Sequence, residues 1–164
     1  MAEIDSREFR NWGGYFATGV TVLTVHVGGT VRGMTANAFC SLSLHPPLVL
    51  VCIQEGVSMH PFFEVAESFA VNILAADQKP LAELFAQHGE HAAPMGGTPY
   101  RLGSLGVPLL EGALGWVECR VEERYAGGDH MIVLGRVEAM ANERPDADPL
   151  LFYSGKYRTI GETL

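Results

Sequence analysis

The sequence predicts a mainly β fold, with an antiparallel sheet closed or nearly closed into a barrel and a few short helices at its flanks. Runs of β-branched and apolar residues recur along the chain between Gly-Gly, Pro-Pro and mixed Gly/Pro breaks. Helical periodicity is confined to short stretches near Phe9, Ser58 and Leu81. The 164 residues, nearly half of them apolar, suit one domain with one core. About six or seven strands in such a unit leave fewer exposed edges as a barrel than as an open sheet.

Asp5 to Phe16 reads as a helix, with Asp5 able to cap it and Phe9, Trp12 and Phe16 at helical spacing. VTVLTV (Val20 to Val25) is a strand, Gly28-Gly29 a hairpin turn, and Val31 to Phe39 the returning strand. After Pro46-Pro47, Leu48 to Ile53 is a short, wholly apolar run and reads as a buried strand. Ser58 to Glu67 reads as a short helix capped by Ser58, with Pro61 in the first turn, where a missing N–H costs nothing. Phe69 to Leu74 is the next strand. Asp77 to Gln87 is a capped helix with Leu81, Leu84 and Phe85 on one face. His88 to Gly106, rich in Gly, Pro and His, reads as a long loop. Then Leu114 to Tyr125, with Val117, Cys119 and Val121 alternating, pairs across Gly127-Gly128 with His130 to Met140, and a last strand lies near Leu150 to Tyr153.

Composition excludes several classes of function. The net charge is −8 and no basic stripe occurs, which argues against nucleic acid as a partner. A ligand phosphate would have to be held locally, against the overall field. No window is apolar for the length of a membrane span, and MAEIDSREFRNW carries charge throughout with no signal-like apolar core. Cys40, Cys52 and Cys119 are widely spaced and form no CxxC, so buried free thiols in a reducing cytoplasm are the preferred reading. His88 and His91, in HGEH, have loose spacing, Glu90 between them and no cysteine nearby; exposed loop histidines are preferred to a metal site. No GxSxG, Walker loop or GxGxxG occurs, so a bound dinucleotide would not use a Rossmann turn.

Five blocks carry a family signal. They are TGVTVLT (Thr18 to Thr24), GMTANAFCSLSLHPPLVLVCI (Gly33 to Ile53), FAVNIL (Phe69 to Leu74), GDHMIVLGRV (Gly128 to Val137) and PLLFYSGKYRTI (Pro149 to Ile160). In this order, and over nearly the whole chain, they resemble the flavin reductase-like family with the FMN-binding split-barrel fold. The resemblance implies a six-stranded antiparallel Greek-key split barrel, a single domain over 1–164, and a homodimer with flavin in a groove near the subunit interface. It implies reduction of FMN or FAD by NADH or NADPH, with reduced flavin passed to a partner flavin-dependent monooxygenase. A flavin-binding or electron-transfer protein of the same barrel is the alternative. An oxidase of the pyridoxamine-phosphate type ranks last, because it needs further cations for a substrate phosphate and this acidic chain has few.

The resemblance also assigns residues. Thr35, Asn37 and Ser41 offer short neutral hydrogen-bonding groups, and Gly33 and Ala36 let the backbone approach a ring closely. Composition by itself favours a plain Ser/Thr/Asn-rich turn here; the resemblance reverses that order. Cys52, Gln54, Ser58 and His60 join the cofactor-binding set. Ser58, Met59 and His60 stand where the family commonly has Ser-x-Thr, so His60 replaces one hydroxyl with a titratable donor. The plain reading of Ser58 is a helix cap. Arg32 can meet a phosphate or lie on a solvated hairpin, and Lys156 and Arg158 have the same two readings. His130, in Gly-Asp-His, is the catalytic candidate, near where nicotinamide stacks on flavin; a lone histidine at a strand end is otherwise structural. Phe85 and Tyr157 are aromatic neighbours of the stacked rings, or simply core aromatics.

Overall fold

The computed structural model describes residues 3–87, 95 and 97–162. Helix α1 (Ser6–Gly13) leads into β1 (Thr18–Gly19), then the hairpin of β2 (Thr21–Val27) and β3 (Thr30–Ala36). A second hairpin pairs β4 (Phe39–Leu44) with β5 (Pro47–Gln54). Helix α2 (His60–Val65), β6 (Ser68–Ile73) and α3 (Lys79–Phe85) follow, and then β7 (Tyr100–Leu102) and β8 (Pro108–Leu110). The long hairpin of β9 (Gly115–Gly127) and β10 (His130–Asn142) precedes the short one of β11 (Leu151–Tyr153) and β12 (Lys156–Arg158).

Seven strands form one antiparallel sheet in the order β3-β2-β6-β9-β10-β5-β4. Hairpins supply β2–β3, β4–β5 and β9–β10, while β2–β6 and β5–β10 are long-range pairings that give the Greek-key crossing. The sheet curls round one core. Leu23 and Val25 of β2, Ala36 of β3, Val51 and Ile53 of β5, Phe69 and Val71 of β6, Cys119 of β9 and Val133 of β10 meet in one buried cluster. Met59, Phe63 and Ala66, in and around α2, pack against them.

Local sequence accounts for most elements. Gly28 and Gly29 take φ of 58° and 76°, the pair of left-handed residues that a two-residue hairpin turn requires. Asp5 caps α1, its Oδ1 accepting from Arg7 N and Glu8 N at 2.9 Å. The helix stops at Gly13, however, and buries no residue; Phe9, Trp12 and Phe16 are exposed. The run Leu48 to Ile53 is not buried on both faces. Val49, Val51 and Ile53 point into the core and Leu48, Leu50 and Cys52 are half-buried, so β5 is one-sided despite its uniform composition.

Other expectations fail for identifiable reasons. Val31 to Phe39 is not one strand but breaks at residues 37–38 into β3 and β4. Met59, not Ser58, holds the cap position of α2, and no side chain caps it. Arg124 satisfies the opposite end of that helix, donating through Nε to Phe63 O at 2.8 Å and through Nη2 to Ala66 O. Asp77 caps nothing: a 3-10 turn (Ala76–Gln78) precedes α3, and the Asp77 carboxylate takes both Nη atoms of Arg144 at 2.8 and 3.0 Å. Part of the expected long loop folds as the β7–β8 hairpin. The buried carboxylate of Glu118 anchors it, accepting from Ser104 N (3.0 Å), Ser104 Oγ (2.9 Å) and Leu105 N (2.8 Å). His88, His91 and Glu90 lie outside the described residues. Of the cysteines only Cys119 is buried; Cys52 is half-buried and Cys40 exposed, and all three are free. No helix among the described residues is long and apolar enough to cross a membrane.

Gly135 marks how tightly the barrel packs. A Cβ there would sit 2.5 Å from Phe69 Cζ and 2.8 Å from Cys119 Cβ. Gly135→Ala is therefore expected to cost about 1–3 kcal/mol by overpacking, lowering Tm by roughly 2–4 °C for each kcal/mol. Gly13→Ala, whose Cβ would meet nothing within 4 Å, should leave Tm unchanged in the same thermal melts.

Candidate active site

The two edges of the main sheet, β3 and β4, are consecutive in the chain, and among the described residues β3 has no strand neighbour besides β2. Between them the chain crosses over: Phe39 N donates to Asn37 O at 2.9 Å and Cys52 N to Ala38 O at 3.1 Å. Beside this crossing lies an open groove of about 210 Å³. Arg32, Gly33, Thr35 and Ala36 of β3 line it, with Asn37 of the crossing and Cys52 and Gln54 of β5. Val57, Ser58 and Met59 come from the turn before α2, Leu84 and Phe85 from α3, and His130 from the start of β10.

The wall formed by α3 is fixed to β3 at two points. Thr35 Oγ1 donates to Ala82 O at 2.7 Å. Phe85 lies directly against Gly33, where a Cβ would come within 2.8 Å of Cε1 of the ring, so only glycine allows this approach. Phe85 is itself buried in a second core cluster with Val20, Val22, Leu74 and Ala82. The Arg32 guanidinium sits 5.5 Å from the centroid of the Phe62 ring. Thr21 Oγ1 donates to Ala36 O at 2.7 Å, holding the end of β3 where the crossing begins. Burial pushes the Cys52 thiol up, which keeps it protonated and a poor nucleophile at neutral pH.

His130 faces Gln54 across the β5–β10 ladder. Its Nδ1 lies 2.7 Å from Asp129 Oδ1. A carboxylate can only accept, so Nδ1 carries the hydrogen, and whenever the ring is neutral the lone pair falls on Nε2. The same bond, with the added attraction of the ring, holds the Asp129 carboxyl below its usual range.

The structure brings together Arg32, Thr35, Ala36, Asn37, Cys52, Gln54, Ser58, Phe85 and His130. Ser41, His60 and Tyr157 are not among the lining residues. Ser41 lies beyond the crossing, exposed on β4 opposite Val49. His60 lines a neighbouring recess that shares His130. Tyr157, on β12, packs edge-on to Phe152 at 5.5 Å under the Lys79 ammonium, with its phenol pushed up by burial. Lys156 and Arg158 are exposed on the same strand. Val57, Met59 and Leu84 line the groove without any motif to single them out; only their neighbourhood to Ser58 and Phe85 in sequence hints at it.

Comparison with known proteins adds an independent line. The family model described as a flavin reductase like domain matches residues 13–161. The FMN reductase (NADH) SmoA of Agrobacterium fabrum is 40% identical over 153 residues, covering 93% of this chain and 85% of the relative. The reductase subunit HsaB of a flavin-dependent monooxygenase from Mycobacterium tuberculosis is 37% identical over 161 residues, covering 97% and 84%. Among solved structures, the NADH:FAD oxidoreductase SgcE6 of Streptomyces globisporus superposes with a TM-score of 0.90 at 38% identity, covering 99% of this chain and 98% of that one.

The Asp129–His130 pair makes a spectroscopic prediction. In the neutral ring, imidazole 15N shifts should report Nδ1 as the protonated nitrogen. Asp129→Ala removes the acceptor and should move the ring towards the Nε2-protonated tautomer that unconstrained histidine favours. An unchanged spectrum would mean that the carboxylate does not set the tautomer.

Proposed function

The chain belongs to the flavin reductase-like family, and from that premise we propose that the groove between β3 and β5 holds a flavin while NADH reduces it. The protein is then an NAD(P)H:flavin oxidoreductase that reduces FMN or FAD by hydride transfer and supplies reduced flavin to a partner flavin-dependent monooxygenase. The family model spans nearly all of the chain, in keeping with a single domain over 1–164.

The observation that carries this reading is the composition of the groove. An edge strand presents N–H and C=O groups that no ladder consumes, and β3 turns such an edge towards the groove. Thr35, Asn37, Gln54 and Ser58 add neutral polar groups beside it. Together they fit a heteroaromatic ring with donors and acceptors along one edge. Arg32 is the one Lys or Arg among the described lining residues, which fits a single phosphate held locally by an otherwise acidic protein. Ser58 is exposed at the groove and engaged in no cap, so its hydroxyl is available to a ligand.

Flavin supplies the hydride-accepting chemistry; the chain supplies positions. Phe85, packed against Gly33, gives a rigid apolar wall. His130, its Nδ1 held by Asp129, presents Nε2 at the groove as an acceptor for the carboxamide N–H of a nicotinamide. Fixing that ring matters because hydride transfer needs donor and acceptor atoms roughly 3–3.5 Å apart.

The same reading makes the protein a homodimer. The half-buried outer face of β5 and β10 is apolar at Leu48, Leu50, Ile132 and Leu134, and it runs on into Cys52, Gln54 and His130 of the groove. None of the α1 side chains is buried against its own chain. A second copy would cover both surfaces and the open side of the groove. Three free thiols suit a reducing cytoplasm.

The test is NADH consumption followed with no flavin, with FMN and with FAD. Flavin-dependent oxidation is expected; NADH left intact with both flavins would overturn the reading. His130→Ala should raise KM for NADH or lower kcat by roughly tenfold or more while flavin Kd and Tm hold. If His130 were structural, flavin binding and Tm would fall together. Solution mass should be that of a dimer, and Leu50→Glu with Leu134→Glu should yield monomers with weakened flavin binding.

A further inference from the structure

We propose that Phe62 is a positioning residue: its ring holds the Arg32 guanidinium at the groove, and through Arg32 it makes the site prefer a phosphorylated flavin to riboflavin. This rests on the flavin reading above. Arg32 stands where the strand pattern calls for an apolar residue. It pairs with fully buried Val25 of β2. It also shares a face of β3 with Met34 and Ala36, which pack in or against the main core. Arg32 and Phe62 are both half-buried. The guanidinium Cζ lies 5.5 Å from the centroid of the Phe62 ring, within the range of a cation–π contact. The pair bridges the seam of the sheet, because Arg32 belongs to the edge strand β3 and Phe62 to the helix that follows β5.

Each partner is fixed by its own backbone. Phe62 N donates to Met59 O at 3.1 Å and Phe62 O accepts from Ala66 N at 2.9 Å, while Met59 and Phe63 are buried in the core. Next to Arg32, Gly33 is pressed against Phe85. The Phe62 ring is therefore a rigid support. An arginine is long and rich in rotamers, and a ligand that has to order it loses that entropy from its affinity. A cation–π contact draws on the charge and the flat face of the guanidinium, whereas its N–H groups point outward in the plane. Donors in that plane match the oxygens of a phosphate. Arg32 lines the groove together with Ser58, from the turn that leads into α2. Phe62 itself is not among the lining residues, so it acts through Arg32 and not by touching the ligand. The ring system is common to riboflavin and FMN, and only the phosphate tells them apart. The contribution of Phe62 therefore appears with FMN and vanishes with riboflavin.

The experiment titrates FMN and riboflavin into the protein, following flavin fluorescence, and measures Tm and NADH oxidation with each flavin on the same preparations. The wild-type protein should bind FMN about tenfold or more tightly than riboflavin. Phe62→Leu should shrink that ratio by about two- to fivefold, the loss falling on FMN. Phe62→Tyr, which keeps the ring, should restore the wild-type ratio. Arg32→Gln should remove most of the preference, and adding Phe62→Leu to it should change the ratio no further, because the ring then has no cation to hold. Phe62 also packs against the core, so Phe62→Leu lowers Tm to some extent. A role in packing alone would weaken both flavins equally and leave the ratio intact, which would overturn the proposal. So would a Phe62→Leu effect on the ratio that adds in full to that of Arg32→Gln. Equal binding of the two flavins by a wild-type protein that still oxidises NADH with them would overturn this proposal and leave the flavin reading standing. Binding of neither flavin, with NADH left intact, would sink the flavin reading and the proposal together.

Discussion

Everything distinctive about this protein follows from one unclosed seam in its sheet. The two edge strands, β3 and β4, are neighbours in sequence, joined by only residues 37–38. β4 is spent on pairing with β5, so β3 keeps a free edge that faces β5 without a ladder. An exposed edge is normally a liability for aggregation. Here α3 covers part of it through Thr35–Ala82 and Gly33–Phe85, and the remainder becomes a slot with backbone polar groups on one side and an aromatic wall on the other. The groove is thus a by-product of topology rather than a cavity carved into the core, and the core stays densely packed.

That density is kept by polar anchors as well as by apolar contacts. Asn72 is fully buried, donates to Val22 O and Thr24 Oγ1, and accepts from Leu110 N, so one side chain joins β2, β6 and β8. Glu118 does the same for the loop from Ser104 to Leu105, and Arg124 for the end of α2. Buried Asn72 and Glu118 both have their partners, which is the condition under which such groups rigidify rather than destabilise. The result is a frame in which the groove-lining residues of β3, β5, α3 and β10 are held by separate structural ties.

The fold was legible where short-range rules act alone. Gly28-Gly29 announces its hairpin because two-residue turns need left-handed backbone, and Asp5 announces its helix because a carboxylate satisfies free N–H groups. The long hairpin turns one residue later than Gly127-Gly128 suggests, at Gly128-Asp129: Gly127 still pairs with His130, and Gly128 takes the left-handed φ of 71°. Legibility stopped where a distant partner competes. Asp77 looks like a cap, but Arg144, far along the chain, offers it a bidentate ion pair. Ser58 also looks like a cap, but the helix starts later and takes its stabilisation from Arg124 at the other end. The break between β3 and β4 carries no proline or glycine signal; the hand-over of pairing from β2 to β5 produces it. Most of the groove residues were reachable through the family blocks. Periodicity could not separate them from Ser41 or Tyr157, because which side of the crossing a residue falls on is a tertiary fact.

The raised thiol of Cys52 bears on how long the protein lasts. On the reading proposed above, reduced flavin that meets dioxygen before its recipient generates peroxide, and the groove is where that peroxide would first appear. Peroxide attacks thiolates far faster than thiols, and the damage runs from sulfenic acid to irreversible sulfinic and sulfonic acids. Burial keeps Cys52 protonated, and Cys119, deeper in the barrel, is pushed up to about 12. Sulfur can therefore line a site of oxidative leakage without becoming its first casualty, and wear should fall instead on exposed Cys40, away from the groove lining.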